Sequence, residues 1–489
     1  MQRTSNIFIT ILLFLTFFSF PFVKATQKIS LPKVFSDKMI LQRNMIIPVW
    51  GSASPGEKIT VNIGTQNVKT VVDKKGNWSA NLKPMKSGGP FEMKISDAEG
   101  ESIILKDILI GDVWICAGQS NMNFILSSAE SGKMELKNLN NENLREFRCA
   151  MPEGALNPEN KEHSRWIPAS DTTANLFSAV AYYFAKKIQA VEKVPVGIIV
   201  MSCGATRAES WTSISALKKY PKLKPLLNYW SDAAHVNKSP INFIPGVFYE
   251  KVVKPVVPFA VKGIVWYQGE SNTLPDESGR TILSRADEYE TLLRALIANW
   301  RKDWNIKNLP FNIVQLPSYK DPSGNIYWSV IRQAQLDISK KINNVGLTVT
   351  IDVGDSTSLH PLKKEPVGNR IALWALAKVY GKKGIVFSGP VIDRMNSFGN
   401  KAYLVFKNIG KGLVCKNYSF LKGFEISDNS SRDQFIPANA FINGDSVIVS
   451  APGVERPYAV RYAWADNPYV SLFNSEGLPA SPFCIKVAK

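Results

Sequence analysis

Three short sequence blocks and one histidine carry residue types that could form a serine esterase site. In chain order the blocks are Gly-Gln-Ser-Asn-Met at 118–122, Ser-Cys-Gly-Ala-Thr at 202–206 and Trp-Tyr-Gln-Gly-Glu-Ser-Asn at 266–272, and His360 follows them. A serine hydroxyl is a poor nucleophile until an adjacent base removes its proton, and imidazole has a suitable pKa near neutral pH. These residue types predict Ser120 as the nucleophile and His360 as the base.

The chain has only three histidines, so few residues compete for the role of base. His163 lies in a polar stretch, and His235 lies in a segment that is typical of a loop.

A tetrahedral oxyanion needs preorganised N–H donors, and three residues of the blocks can supply them. Gly204 can bring its backbone close to a ligand because it lacks a side chain, Asn272 offers a side-chain amide, and Ser120 offers its backbone N–H. Taken singly, Ser120 and Gly204 are also compatible with ordinary turns, and Asn272 with a residue that caps its own backbone. Because all four segments are expected at the same edge of the predicted sheet, together they favour an esterase site over four unrelated turns.

The elements around these blocks predict an α/β region over residues 109–382. Strand-like apolar runs alternate there with helix-like stretches, which is typical of a parallel sheet. We expect strands at 112–116, 196–201, 261–267, 311–315 and 345–351, and helices at 178–189, 287–300 and 367–379. In open α/β sheets ligands bind at the carboxyl ends of the strands, so the blocks are expected to meet at one edge.

Short β-rich runs separated by turn residues flank this region on both sides. We expect an N-terminal β domain over residues 26–108 and a C-terminal β-rich domain over 383–489. The sequence leaves open whether the C-terminal strands form their own domain or complete the first one.

The first 25 residues have the pattern of a secretory signal peptide, namely Arg3, an apolar run at 7–22 and a small residue, Ala25. An uncleaved anchor is the alternative, although the run is short for a membrane span. We therefore expect a secreted or periplasmic protein without an integral span after cleavage.

The formal net charge of +18 could attract anionic partners. Its lysines are scattered, with doublets such as Lys363 and Lys364, and no nucleic-acid motif is recognisable. We interpret them as dispersed surface lysines and expect no nucleic-acid partner; the oligomeric state stays open.

Five cysteines allow at most two disulfides and leave an odd thiol. Cys116 and Cys203 end strand-like runs and are expected to be buried as small apolar residues. No ligand spacing typical of a metal site is present, so we expect neither a metal nor another cofactor.

The blocks resemble those of the SGNH (GDSL-type) hydrolases, whose Ser, Gly, Asn and His match Ser120, Gly204, Asn272 and His360. The resemblance is closer to the sialate O-acetylesterase family, because of the first and third blocks, the opening at 34–43, and the segments at 457–464 and 477–483. It covers nearly the whole chain after residue 25. The sequence departs from the family pattern in two ways: Ala205 replaces the second glycine of a usual pair, and Thr357 and Ser358 stand where an acidic or amide residue often precedes the histidine.

The resemblance implies an esterase that removes O-acetyl groups from sialic acid or from an acetylated polysaccharide, through an acyl-enzyme on Ser120. It also implies that Gln119, Gln268 and Glu270 line the rim, where they order loops or bind substrate hydroxyl groups. Asp355 is the predicted acid that orients His360, with Asp352 as the other candidate and a Ser–His dyad as the alternative. Two alternatives from other classes are a non-catalytic glycan-binding protein with an inert SGNH core and a structural protein anchored to polysaccharide.

Overall fold

The computed structural model describes residues 28–156, 164–273, 281–322, 324, 327–428 and 434–487. The predicted signal peptide and His163 lie outside these residues. Seven strands form the N-terminal region. β1 to β7 are Ile40–Gln42, Ile47–Ser52, Lys58–Ile63, Gln66–Val71, Asn77–Leu82, Gly88–Ser96 and Ser102–Gly118. β4, β3, β6 and the first half of β7 pair antiparallel, β1 runs parallel to β7, and β2 pairs with β5.

The central region carries the helices and the remaining strands of a large mixed sheet. Helices α1 to α9 are Ser120–Asn123, Gly132–Leu136, Ala179–Glu192, Ile214–Leu217, Lys224–Tyr229, Ala233–Lys238, Ile282–Asp303, Trp328–Lys341 and Glu365–Lys378. Strands β8 to β13 are Asn140–Arg148, Trp166–Ser170, Val196–Ser202, Gly263–Tyr267, Phe311–Val314 and Val345–Thr348. The central order is β13-β12-β11-β7-β10-β8-β9, parallel except where β9 meets β8.

The expected α/β fold is therefore confirmed, and all five predicted central strands lie in this sheet. β8 was not predicted, because its second half contains charged residues. Arg145, Glu146 and Arg148 are nevertheless buried, and Arg148 forms an ion pair with Glu146 at 2.9 Å. Ion pairing lowers the cost of burying a charged group, so charged residues can lie in the core although their hydropathy predicts the surface.

The C-terminal strands form sheets of their own. Strands β14 to β23 are Val391–Phe398, Lys401–Lys407, Leu413–Cys415, Phe424–Ser427, Ile436–Pro437, Asn439–Asn443, Ser446–Ser450, Ala459–Tyr462, Leu472–Asn474 and Phe483–Lys486. They pair as β14-β15-β20-β19, β18-β17-β21-β23 and β16-β22. Within the described residues none of them pairs with an N-terminal strand, so the C-terminal strands do not complete the first β region.

The N-terminal and central regions share one strand. β7 runs unbroken through the expected boundary at residues 108 and 109. Its first half pairs with β6, and its second half lies between β10 and β11. The same backbone therefore belongs to both regions.

The five cysteines all lie within the described residues, and none of them forms a disulfide. Cys116 and Cys203 are buried, as expected from their positions at strand ends, and burial raises the pKa of the Cys203 thiol to about 12. In the described part of the chain, no helix has the length and apolar character needed to cross a bilayer.

A buried arginine on α8 joins the central region to the C-terminal region. Arg332 is fully buried and donates to the carbonyl oxygens of Leu316 at 3.0 Å and Pro317 at 2.5 Å, which follow β12. It also donates to the carbonyl oxygens of Ala465 at 2.6 Å and Asp466 at 2.8 Å, which follow β21. Burial lowers the pKa of its guanidinium to about 10, so these bonds must offset a large desolvation cost.

Replacing Arg332 with Met should lower the free energy of unfolding by at least about 3 kcal/mol, because several buried carbonyl oxygens lose their donor. Urea unfolding followed by tryptophan fluorescence measures this change. Arg294→Met is the control, since Arg294 makes a partly exposed pair with Glu290 on one helix and should change stability by no more than about 0.5 kcal/mol. Equal stability of the two variants would contradict the role given to Arg332.

Candidate active site

The three blocks meet at one edge of the sheet because their strands are parallel and end in register. In the pairing of β10 and β11 with β7, Ser202 and Tyr267 both lie opposite Gly118, the last residue of β7. Ser120, Gly204 and Asn272 follow these strand ends within five residues. His360 reaches the same edge through the loop after β13.

The nucleophile turn depends on a close backbone approach. Gly118 has a φ of +144°, and a Cβ atom there would lie 2.0 Å from the carbonyl oxygen of Tyr267. Only glycine fits such a position. The next residue, Gln119, donates its N–H to that same carbonyl oxygen at 3.1 Å. The chain then turns into α1, whose first residue is Ser120.

Ser120 and His360 form a hydrogen bond although 240 residues separate them. The distance between Ser120 Oγ and His360 Nε2 is 2.8 Å, and both residues are partly exposed. This geometry places Nε2 where it can take the hydroxyl proton as the oxygen attacks. The structure thus brings together the two residues predicted to carry the chemistry.

The two candidate acids have different surroundings. Asp355 lies in the loop that leads to His360, and its Oδ1 accepts hydrogen bonds of 2.8 Å from both the N–H and the hydroxyl of Thr357. These bonds hold the pKa of Asp355 below its usual value. Asp352 instead forms a two-pronged pair with Arg370 at 2.6 and 2.7 Å. An orienting role for Asp355 stays a prediction, while the carboxylate of Asp352 is already engaged by Arg370.

The second block contains a backbone conformation that explains the usual glycine pair. Ala205, which stands in place of the second glycine, has a φ of +56°. This left-handed conformation costs roughly 1–2 kcal/mol for a residue with a Cβ atom. The carbonyl oxygen of Gly204 accepts a hydrogen bond of 2.7 Å from Asn242 Nδ2, which helps to fix the turn.

The side-chain amide of Asn272 is buried and fixed from two sides. Its Oδ1 accepts from Gln268 Nε2 at 2.8 Å and from the N–H of Ala208 at 3.1 Å. Its Nδ2 donates to Glu209 Oε2 at 2.8 Å. An amide nitrogen has two hydrogens, and the bond to Glu209 uses one of them. The arrangement suits an oxyanion donor, which must be oriented before charge develops.

The structure places Gln119, Gln268 and Glu270 beneath the rim. Their exposed fractions are 2%, 0% and 4%. Gln119 Oε1 accepts from Gln268 Nε2 at 3.2 Å and from the N–H of Ser271 at 3.3 Å, and Tyr289 donates to Gln268 Oε1 at 3.0 Å. Glu270 Oε1 accepts from Asn121 at 2.7 Å. These contacts order the loops, which was one of the two expected roles; substrate binding by the three residues stays a prediction that none of these contacts supports.

One prediction about a site residue was wrong. Lys364 was interpreted as a surface lysine, but it is 1% exposed, whereas its neighbour Lys363 is exposed. Its Nζ donates to Asn121 Oδ1 at 2.5 Å. Composition could not show which of the two lysines is buried. The backbone just before α9 directs Lys364, and not Lys363, under the nucleophile turn.

Sequence reasoning also missed Asn121 and Glu209. Asn121 bonds to Glu270 and Lys364. Glu209, which follows the second block, accepts from Asn272. Asn121 belongs to the first block, so its place beside Ser120 was a usable signal. His235, by contrast, stacks on Tyr229 with ring centroids 4.0 Å apart, and its Nδ1 donates to the backbone carbonyl oxygen of Tyr229 at 2.8 Å. That contact accounts for the histidine without a catalytic role.

Comparison with known proteins agrees with this geometry. Residues 110–373 match the family described as carbohydrate esterase, sialic acid-specific acetylesterase. The chain is 27% identical to a mouse sialate O-acetylesterase and 28% identical to a human one, over 90% and 92% of its length and 91% of each relative. The crystal structure of a carbohydrate acetylesterase from Xanthomonas citri is 33% identical, with a TM-score of 0.80, and the match covers 94% of this chain and all of that one.

Replacing Asn272 with Ala should lower kcat by about one hundredfold to one thousandfold and change KM much less, since its donor acts on charge that develops in the transition state. Steady-state hydrolysis of a chromogenic acetate ester gives both constants. Glu209→Gln is the matched control, because the glutamine oxygen can still accept from Nδ2 and should cause a smaller loss. A change confined to KM would contradict the oxyanion role.

Replacing Asp355 with Asn tests the orienting acid without disturbing the loop, because the Asn oxygen can still accept both bonds from Thr357. We expect turnover to fall by two or more orders of magnitude, as it does when a triad acid is neutralised. Asp352→Asn is the control for a general effect of loop charge. Near-normal turnover in Asp355→Asn, with His360→Ala inactive, would show that Asp355 is not the orienting acid, and near-normal turnover in Asp352→Asn as well would favour the dyad.

Proposed function

The chain belongs to the sialic acid-specific acetylesterase family of carbohydrate esterases, and we propose that it is a secreted serine esterase that removes O-acetyl groups from sugars. The observation that carries the mechanism is the 2.8 Å hydrogen bond between Ser120 Oγ and His360 Nε2. It joins a nucleophile and a base at the sheet edge where ligands of open α/β folds bind.

In the proposed first half-reaction, Ser120 Oγ attacks the acetyl carbonyl carbon while His360 takes its proton. The oxyanion of the tetrahedral intermediate is stabilised by the N–H groups of Ser120 and Gly204 and by Asn272 Nδ2. Collapse of the intermediate breaks the bond to the sugar oxygen, which receives the proton from His360. An acetyl group then remains on Ser120.

The second half-reaction repeats the sequence with water. His360 removes a proton from the water molecule that attacks the acetyl-enzyme, and it returns the proton to Ser120 Oγ as acetate leaves. Each group on the protein returns to its starting state, so the reaction needs no cofactor.

The substrate is an O-acetylated sugar, either a sialic acid or a residue of an acetylated polysaccharide. The mouse and human relatives are sialate O-acetylesterases, and the Xanthomonas citri relative is a carbohydrate acetylesterase. A formal net charge of +18, which becomes +16 when Arg3 and Lys24 leave with the proposed signal peptide, favours the approach of an acidic sugar.

Export from the cytoplasm is part of the proposal. Arg3, the apolar run at 7–22 and Ala25 form the pattern of a signal peptide. Cleavage after Ala25 would leave a mature chain that begins at Thr26, in the periplasm or outside the cell.

Replacing Ser120 with Ala should lower acetate release by more than about a thousandfold and leave the fold intact, because the hydroxyl lies in a turn and is the nucleophile. Acetate release is measured on a panel of acetylated sialic acids and polysaccharides, and circular dichroism checks the fold. The control is Ser128→Ala, which removes an exposed serine hydroxyl eight residues further on. Full activity of a folded Ser120→Ala protein would refute the assignment.

A further inference from the structure

A buried lysine lies beneath the nucleophile turn, close to two aromatic rings. Lys364 Nζ lies 4.6 Å from the ring centroid of Phe124 and 5.9 Å from that of Tyr267. Burial lowers its pKa to about 7, and nearby Glu270 acts in the opposite direction. Burying an ammonium group is costly unless it is paired and hydrogen-bonded. The group that it bonds to, Asn121 Oδ1, lies directly beside the nucleophile.

Asn121 links three separate parts of the chain through one amide. Its Oδ1 accepts from Lys364 Nζ at 2.5 Å, at the start of α9. Its Nδ2 donates to Glu270 Oε1 at 2.7 Å, in the third block, and to the carbonyl oxygen of Leu359 at 3.2 Å, in the histidine loop. The amide therefore uses its acceptor and both of its donor hydrogens.

When Lys364 is protonated and Glu270 is ionised, the partners of Asn121 permit only one orientation of the amide. A lysine ammonium is only a donor, whereas an ionised carboxylate and a carbonyl oxygen are only acceptors. A flipped amide would direct its N–H groups at the ammonium of Lys364 and its oxygen at Glu270 and Leu359. Lys364 and Glu270 thus hold Nδ2 toward the histidine loop.

This orientation matters because of where the linked residues stand in the chain. Asn121 immediately follows Ser120, and Leu359 immediately precedes His360. The bond between Asn121 Nδ2 and the carbonyl oxygen of Leu359 therefore ties the nucleophile turn to the base loop, one residue away from each reacting group.

We propose that Asn121 is a positioning residue that sets the distance between Ser120 and His360, and that Lys364 and Glu270 hold its amide in the orientation this requires. The inference rests on the proposed roles of Ser120 and His360. Neither Asn121 nor Lys364 needs to touch the substrate in this role. Their effect is to keep the hydroxyl and the imidazole at hydrogen-bonding distance throughout turnover.

Replacing Lys364 with Met tests the proposal, because Met keeps most of the length and the apolar character of the stem but cannot donate to Asn121. Misplacement of reacting groups by about 1 Å can cost roughly one hundredfold in rate. We expect kcat for a chromogenic acetate ester to fall by tenfold to one hundredfold, and KM to stay within about twofold. Lys363→Met, at the exposed neighbouring position, is the matched control and should keep wild-type constants.

Stability separates positioning from a purely structural role. Lys364→Met leaves one buried amide oxygen without a donor and removes a charge near Glu270, so the variant is expected to be less stable than the wild type but still folded. Rates are compared well below the unfolding midpoint of every variant. Asn121→Leu, which removes all three bonds at similar volume, should show the same loss of kcat with little change in KM.

The outcomes are distinct. Wild-type kcat in folded Lys364→Met, or a change in KM alone, would overturn this inference, provided that Ser120→Ala is inactive. If Asn121→Leu fails to fold, Lys364→Met alone decides. Full activity of Ser120→Ala would instead overturn the proposed function and, with it, this inference.

Discussion

The parallel alignment of β7, β10 and β11 is the constraint on which the site depends. The last residues of β10 and β11 lie opposite Gly118, the last residue of β7, so the loops that follow the three strands begin at the same edge of the sheet. Parallel strands need long crossover connections, and those connections explain why the residues of the site are far apart in sequence. A hydrogen bond across 240 residues is thus a direct result of sheet topology.

Below this edge, the loops are fixed by buried amides and carboxylates rather than by apolar packing alone. Gln119, Gln268 and Asn272 bond to one another and to backbone groups, so each loop is defined by its neighbours. Buried polar networks specify a single arrangement when their members are satisfied. Glu270 departs from this rule, because its Oε2 is buried and has no hydrogen-bond partner among the described residues. Burial also raises the pKa of this carboxyl group.

The sequence predicted the features that depend on local pattern. Apolar runs indicated the central parallel strands, and the short blocks identified Ser120 and His360, which the structure places in contact. Side-chain direction and pairing could not be predicted in the same way. β8 was missed because its buried residues Arg145 and Arg148 resemble surface residues until their partners, Asp107 and Glu146, are known. Lys364 was misplaced for the same reason, since its partner Asn121 lies 243 residues away.

The shared strand β7 also limits how the two regions could be separated by gene rearrangement during evolution. Rearrangements that move domains between proteins act where a flexible linker can be cut without loss of structure. No linker separates the N-terminal β region from the catalytic region here, because one seventeen-residue strand belongs to both and ends two residues before Ser120. A cut at residue 109 would divide this strand and separate residues 109–111 from β1, which leaves unpaired backbone beside the buried side chains of Leu109 and Ile110, an arrangement prone to aggregation. The N-terminal region and the esterase core are therefore expected to have been gained, kept or lost together.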